Sequence, residues 1–178
     1  MNYTSIEEVY AANDAIRGKF KQAVASVPPN KLDAHPEGEK WSVAQIVEHV
    51  SMVNEGVVRI CAKLLSKAEA DGRLSGGSFS MSPEFIENAT RSIDVKLEAP
   101  EFVQPASGAS VEASLGKLDT NQAALSDLRE KFEKFDGCEP KFPHPYFGNL
   151  SAQEWLTLSG GHELRHLRQI KRILEKLV

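Results

Sequence analysis

Four long stretches of this sequence place their apolar residues three and four positions apart, and that spacing constrains the fold more than any other feature. Apolar residues at this spacing line one face of an α-helix, so each stretch predicts an amphipathic helix. The stretches run from about 5 to 26, from 42 to about 70, from about 110 to 135, and from 151 to the C-terminus. No convincing pair of strands accompanies them, so the predicted fold class is all-α, a four-helix bundle.

The starts of the second and fourth helices carry the clearest local signals. Ser42 is followed three residues later by Gln45, and Ser151 is followed in the same way by Glu154. In such a capping box each side chain satisfies a backbone N–H group that the first helical turn leaves without a partner. Both helices are therefore predicted to begin directly after their serine.

Residues 71–105 break the helical pattern. Glycines among serines are followed by Pro83, Pro100 and Pro105. Ser82-Pro83-Glu84 predicts the start of one short helix, because proline is tolerated at the first helical position. A connection of this length is uncommon inside a compact domain unless it joins two elements that run parallel. The sequence therefore predicts a long crossover between the second and third helices.

Composition limits the class of protein. The 178 residues fit a single domain covering 1–178, and 41% hydrophobic with 26% charged residues is typical of a globular chain. The net charge of −4 argues against nucleic acid as a partner, since nonspecific binding to phosphates needs a cationic surface. Two cysteines cannot build a disulfide framework, and no apolar run approaches the roughly 20 residues of a membrane span. The N-terminus shows no secretory signal, so we expect a cytoplasmic protein with no membrane partner.

Three of the five histidines fall in predicted helices. His162 and His166 are four residues apart, so one helical turn places both rings on one face, as two imidazoles need to hold one metal ion. His49 lies at the edge of the apolar face of the second helix. If the two helices are neighbours, three imidazoles converge and leave other coordination positions open. The alternatives are a chance surface pair at 162 and 166, and a hydrogen-bonded core histidine at 49.

Two further residues are candidates for catalysis. Glu163 points toward the core by its helical position, and a buried carboxylate must be paired or neutralised. It therefore either accepts a hydrogen bond from a ligand histidine or forms a buried salt bridge. His144 precedes the fourth helix and either reaches the metal or the substrate, or packs with the apolar residues that close the end of the bundle. For both residues we favour the structural interpretation.

Three segments carry a family resemblance. Residues 41–49 (WSVAQIVEH) resemble the pattern W-S-x-x-x-x-x-x-H, and residues 144–155 (HPYFGNLSAQEW) resemble H-P-x-F-G-x-L-[ST]-x-x-E-W. Residues 162–170 (HELRHLRQI) are similar to H-x-x-x-H-h-x-Q-h, in which h is an apolar residue. In this order and at these separations, the segments resemble the DinB-like (DinB/YfiT) superfamily. The resemblance spans nearly the whole chain as architecture and is sharp at about 41–50 and 144–170.

The resemblance implies a bundle in up-down-down-up order, with the long crossover between its second and third helices. It implies one divalent metal ion (zinc, nickel, iron or manganese) held by His49, His162 and His166. Characterised relatives include thiol S-transferases that use bacillithiol and mycothiol-dependent isomerases, and relatives are often homodimers. One departure is Arg165, where many members carry a further histidine. If that histidine tunes the site, the chemistry of this chain differs from theirs.

The expected function is that of a divalent-metal-dependent enzyme, a thiol S-transferase or a hydrolase, acting on a small molecule such as a low-molecular-weight thiol. The metal would activate a thiol or a water, and because both reactions need the same histidines the ligands do not choose between them. The crossover and residues 144–148 would recognise the substrate. Arg165 and Arg168 are either anion contacts or part of a solvated face. Gln169 either forms a hydrogen bond near the site or makes a helix–helix contact. The alternatives are a non-catalytic stress protein that binds a metal or small ligand, and a bundle whose role is dimerisation.

Overall fold

The computed structural model describes residues 3–92, 95, 97–106 and 108–177, and four long helices dominate them. In chain order the elements are α1 (Ile6–Ala25), α2 (Val43–Ala70), α3 (Pro83–Arg91), α4 (Val111–Asp127), α5 (Arg129–Lys134), β1 (Lys141–His144), β2 (Gly148–Ser151) and α6 (Ala152–Lys176). Short 3₁₀ turns lie at Pro29–Lys31 and Glu101–Val103. Helices α1, α2, α4 and α6 form the predicted four-helix bundle.

The order of the bundle is up-down-down-up, as the resemblance implies. Helices α1 and α6 run parallel, α2 runs antiparallel to α6, and α4 with α5 runs parallel to α2. The contacts that fix these directions are Asn13–Leu156 and Arg17–Glu163 between α1 and α6, His49–His162 and Cys61–Ala152 between α2 and α6, and Glu55–Lys117 and Glu69–Lys131 between α2 and the α4–α5 segment. The crossover therefore joins two parallel helices, which explains its length.

Both predicted capping boxes are present. Ser42 Oγ accepts a hydrogen bond from Gln45 N at 3.2 Å, and Gln45 Oε1 accepts one from Ser42 N at 3.0 Å. Ser151 and Glu154 make the same reciprocal pair at 3.3 and 2.8 Å. Glu154 Oε1 also accepts from the backbone N–H and hydroxyl of Ser82, at 2.8 and 2.6 Å. Glu154, the capping-box partner of Ser151, thus also holds the start of α3 against α6.

The core consists of two apolar clusters with a polar layer between them. One cluster includes Tyr10, Val57, Leu125 and Leu156, and the other includes Phe20, Val50, Leu118 and Leu167. On each bundle helix, buried polar residues lie between the two clusters: Arg17 on α1, Asn54 on α2, Asn121 on α4, and Ser159 and Glu163 on α6. Among the described residues, no helix combines the length and apolar composition that a membrane span requires.

A β-hairpin precedes α6, so the expectation of no convincing strand pair is wrong for this segment. Strands β1 and β2 pair antiparallel, with His144 opposite Gly148, and a three-residue loop joins them. Gly148 has φ +77°, the left-handed conformation that ends such loops. Strands of four residues are too short to show an alternating pattern, and Pro143 argues against a strand unless it lies at an edge, as it does here.

The third predicted helix, from about 110 to 135, is broken at Leu128 into α4 and α5. The Tyr10 hydroxyl donates to Leu125 O at 2.7 Å, and Leu128 N–H donates to the same carbonyl in a tightened turn. A side chain that inserts into the ladder of helical hydrogen bonds bends the helix at that point. The break therefore depends on a contact from α1, which the local sequence does not show.

Candidate metal centre

The bundle brings the three predicted histidines together. His49 on α2 faces His162 and His166 on α6, and the ring centroids lie 4.5 to 5.0 Å apart. His162 Nε2 lies 3.1 Å from His49 Nε2 and 3.2 Å from His166 Nε2. One ligand atom from each ring can be chosen so that all three lie within 4.8 Å of one another. These three residues could therefore share one cation.

Hydrogen bonds fix the tautomers of two of the rings. His49 Nδ1 lies 2.7 Å from Val103 O, and His166 Nδ1 lies 2.9 Å from Gln169 Oε1. Because a carbonyl oxygen only accepts, both Nδ1 atoms carry the proton and both Nε2 atoms present a lone pair. A second partner of this kind commonly orients a metal-binding histidine. Gln169 thus contacts the site, one of the two alternatives for this residue.

The third ring is left incomplete by the protein alone. His162 Nε2 faces two lone pairs, and a single N–H can be donated well to only one of them. Its Nδ1 atom is enclosed and has no hydrogen-bond partner among the described residues. Buried polar atoms are seldom left in this state, because losing hydration without a compensating bond costs free energy. The contacts among the three Nε2 atoms thus have fewer protons than they need, and a cation shared by these atoms fits the arrangement.

Burial keeps these rings neutral, the form that binds metal. It lowers the pKa of His49, lowers the pKa of His162 well below its usual range, and lowers the pKa of His166 to about 3. Mutual repulsion adds to the effect for His162 and His166, since protonation of one ring would oppose that of its neighbours. At neutral pH all three nitrogens therefore remain available as ligands.

An aromatic ring and the crossover enclose the site. The Trp41 ring lies 4.7 Å from His49 and 6.2 Å from His166, centroid to centroid. From the crossover, Val103 contributes its carbonyl to His49, and Ala106 N–H donates to Glu48 Oε1 at 3.3 Å. The sequence marks Trp41 as part of the resemblance but gives no signal for Val103, since a backbone carbonyl belongs to every residue type.

Arg165 holds the crossover, a role not considered from the sequence. Its guanidinium donates to Ser92 O at 3.0 Å, at the end of α3, and to Val95 O at 2.9 Å. Partial burial lowers the pKa of Arg165 from its usual value. Arg168, the other candidate anion contact, is exposed. Arg165 therefore lies at the rim of the histidine cluster with its donors directed at the backbone of the connection.

His144 lies outside the histidine cluster. Its ring packs against Phe147 at 4.8 Å and Trp155 at 5.1 Å, between ring centroids. Its Nδ1 accepts a hydrogen bond from Tyr146 N at 3.1 Å, so the proton is on Nε2. Burial lowers the pKa of His144 to about 4. These contacts match the packing interpretation, and they fix the ring as a neutral donor.

Glu163 forms the buried salt bridge that was one of its two interpretations. Its carboxylate accepts from Arg17 Nε at 2.7 Å and pairs with Nη2 of the same residue. Arg17 also donates to Leu118 O at 2.7 Å and to Asn54 Oδ1 at 3.1 Å. The alternative, in which Glu163 accepts from a ligand histidine, is not what the structure shows.

Comparison with known proteins agrees with this architecture. The chain is 28% identical over 152 residues to Uncharacterized protein YuaE of Bacillus subtilis (strain 168), over 83% of this chain and 85% of that protein. The crystal structure of TT2238, a four-helix bundle protein, superimposes with a TM-score of 0.62 at 22% identity, over 93% of this chain and 96% of that one. An uncharacterised protein from Escherichia coli UTI89 gives a TM-score of 0.56 at 15% identity, over 95% and 92%. These two structures share the fold.

The family assignment comes from the sequence match. Residues 12–170 match the DinB superfamily, and this range contains α2, the crossover and most of α6. All three clustered histidines fall inside it. With the helix order and the histidine geometry already established, this match over most of the chain means that the protein belongs to the DinB superfamily.

Proposed function

We propose that this protein is a divalent-metal-dependent enzyme, a thiol S-transferase or a hydrolase, that acts on a small molecule. The observation that carries the proposal is the convergence of three Nε2 atoms, with His162 Nε2 only 3.1 and 3.2 Å from the other two, both of which present lone pairs. A purely structural cluster of histidines would be expected to satisfy its own hydrogen bonds. This cluster leaves a place for a cation.

Each residue around the site has a distinct part in the proposal. His49, His162 and His166 would hold the metal, which when bound supplies a Lewis acid with open coordination positions. Val103 O and Gln169 keep two of the rings in the tautomer that binds. Trp41 covers the rings and excludes water from one side. The protein thereby presents preformed, neutral ligands on two rigid helices.

The substrate would enter beside the crossover and the hairpin. Arg165 and the Tyr146 hydroxyl, which donates to Glu98 O at 2.6 Å, hold this connection near the site. His144 Nε2–H is a neutral donor that could bind an acceptor atom of the substrate. In the transfer reaction the thiol sulfur bonds to an electrophilic carbon, the leaving group departs with its electron pair, and the thiol proton passes to solvent. In hydrolysis a water oxygen takes the place of the sulfur.

Metal content tests the first part of the proposal. We expect about one divalent ion per chain in the purified protein by elemental analysis. His162→Ala should lose most of it, because two imidazoles bind a metal far more weakly than three. His35→Ala is the matched control, since His35 is exposed and contacts only Gln45 among the described hydrogen-bond partners. Equal metal occupancy in His162→Ala and the wild type would refute the site.

Turnover tests the second part. The metal-loaded protein would be assayed with cysteine and chlorodinitrobenzene for transfer, and with p-nitrophenyl acetate for hydrolysis. Activity that requires both the metal and His162 supports an enzyme, and the preferred probe separates the two reaction classes. The enclosure by Val103 and Ala106 favours a second candidate, a module that binds a metal or small ligand without turnover. That candidate predicts full metal occupancy and no catalysis of either probe.

The remaining expectations belong to the same proposal. A single domain, a homodimer and a cytoplasmic location remain predictions, which limited proteolysis, light scattering and cell fractionation would test in turn.

A further inference from the structure

One guanidinium near the middle of the bundle connects all four of its long helices. Arg17, on α1, pairs with Glu163 on α6, and it donates to Asn54 Oδ1 on α2 and to Leu118 O on α4. Arg17 and Glu163 are about 95% buried or more. Ser159 Oγ, also on α6, donates to the same Asn54 Oδ1 at 2.9 Å. We call these four side chains, Arg17, Asn54, Ser159 and Glu163, the ionic layer.

The ionic layer ties together the two helices that carry the histidines. Asn54 lies five residues after His49 on α2, and Glu163 directly follows His162 on α6. Successive residues are about 100° apart around a helix, so the Glu163 and His162 side chains leave α6 in different directions. The ionic layer therefore contacts α6 on a face next to the histidines and does not include the histidine side chains.

Stability alone does not account for this layer. Replacing a buried ion pair with apolar side chains of similar volume is often neutral or stabilising, because the desolvation of the charges offsets their attraction. Apolar clusters lie on both sides of the layer and could continue through it. Apolar contacts have no directional bonds, so they fix the rotation and position of one helix against another less strictly than an ionic layer does.

A three-histidine site depends on the rotation and position of α6 relative to α2. The side-chain surface of a helix lies about 5–6 Å from its axis, so a rotation of α6 by about 20° would shift a ring by about 2 Å. Metal–ligand distances tolerate only about 0.2 Å. An apolar core would tolerate a rotation or sliding of α6 against α2 of this size. Such a movement is therefore enough to separate the histidines.

We propose that Arg17 and Glu163, together with Asn54 and Ser159, are positioning residues that fix α6 against α2 and so preorganise the three-histidine site. The inference rests on the proposed function, because it assigns these residues to the same metal centre. It predicts that metal affinity depends on a charge pair that touches none of the ligand nitrogens.

The decisive variant is Arg17→Met/Glu163→Leu, which removes both charges together and leaves no unpaired ion. We expect it to fold, with a thermal midpoint near that of the wild type, and to bind Zn²⁺ at least 10-fold more weakly, the size of effect seen for residues that orient metal ligands. With Co²⁺ as probe, its visible spectrum should change, reporting altered ligand geometry. Lys21→Met/Asp119→Leu removes an exposed pair between α1 and α4 and is the matched control, with unchanged affinity and spectrum.

A milder pair of variants keeps the test decisive if the double variant does not fold. Ser159→Ala breaks only the Asn54 contact from α6 and should weaken Zn²⁺ binding several-fold. Ser114→Ala is its control, because Ser114 Oγ is buried on α4 without a hydrogen-bond partner among the described residues. Unchanged Zn²⁺ affinity in the folded variants would overturn the inference and leave the proposed function standing. A wild-type chain that binds no Zn²⁺ would overturn both.

Discussion

Two buried polar clusters lie side by side on α6, and they differ in how completely the protein satisfies them. In the ionic layer a cation meets an anion, and Arg17 Nε, Nη1 and Nη2 all donate to oxygen atoms. In the histidine cluster three neutral bases face one another, and His162 Nδ1 has no partner among the described residues. The first cluster is complete in the folded chain. The second has too few protons for the contacts among its Nε2 atoms, which is the reason a cation is proposed there.

The largest expected effect comes from breaking the complete cluster. Glu163→Ala leaves the Arg17 charge buried and unpaired, so we expect it to lower the free energy of unfolding by about 3–5 kcal/mol. Urea unfolding without metal would measure the loss. Arg17→Met/Glu163→Leu is the comparison, and it should recover most of the stability. If the single and the double variant are equally stable, the buried Arg17 charge does not depend on Glu163 for its compensation.

The incomplete cluster should instead respond to a ligand. Free Zn²⁺ at about 100 times its dissociation constant should stabilise the wild type by about 2.7 kcal/mol, because it binds the folded state. His162→Ala should gain much less under the same conditions, and His35→Ala should gain as much as the wild type. Thermal unfolding with zinc and with a chelator provides the measurement. An equal gain in His162→Ala would place the zinc elsewhere.

The sequence was sufficient for the parts of the molecule that depend on local pattern. The starts of α2 and α6 follow from Ser42 and Ser151, whose capping boxes are complete within four residues. The approach of His162 to His166 follows from one helical turn. The meeting of His49 with them required α2 and α6 to be neighbours, and the family resemblance supplied that.

What the sequence missed depends on contacts between distant residues. The break at Leu128 needs the Tyr10 hydroxyl from another helix, and the orientation of His49 needs the Val103 carbonyl from the crossover. The sequence favours a structural role for Glu163 but does not identify its partner, because Arg17 lies 146 positions away along the chain. The spacing of apolar residues along the chain does not indicate such contacts between distant residues.

A smaller effect is expected from Gln169, whose side chain supplies one of the hydrogen bonds that the histidine cluster makes with the rest of the protein. Gln169→Leu removes the acceptor for His166 Nδ1–H and should weaken Zn²⁺ binding by about 10- to 100-fold, because the ring loses its fixed orientation. Gln169→Glu retains an acceptor at the same place and should bind about as tightly as the wild type. Competition with a chelator of known affinity would measure both. Equal affinities for the Leu and Glu variants would exclude an orienting role for residue 169.

The smallest expected effect concerns His144, which is partly satisfied: among the described residues, its Nδ1 has a hydrogen-bond partner and its Nε2 has none. Burial lowers its pKa to about 4 in the folded chain, whereas an unfolded histidine titrates near 6.5. Between these values the unfolded chain binds a proton that the folded chain does not. Stability from the neutral ring is therefore present above about pH 6.5 and is lost as the pH falls toward 4.

His144→Phe removes this titration and keeps an aromatic ring against Phe147 and Trp155. Between pH 7 and pH 4 the wild type should therefore lose more stability than the variant, by on the order of 1–2 kcal/mol after allowing for the partial exposure of the ring. Urea unfolding in the presence of a chelator at both pH values would show the difference. Parallel losses would mean that His144 does not titrate differently on folding. His144, with one hydrogen-bond partner, would then behave like an exposed polar residue. The contrast between the ionic layer and the histidine cluster would apply only to fully buried polar residues.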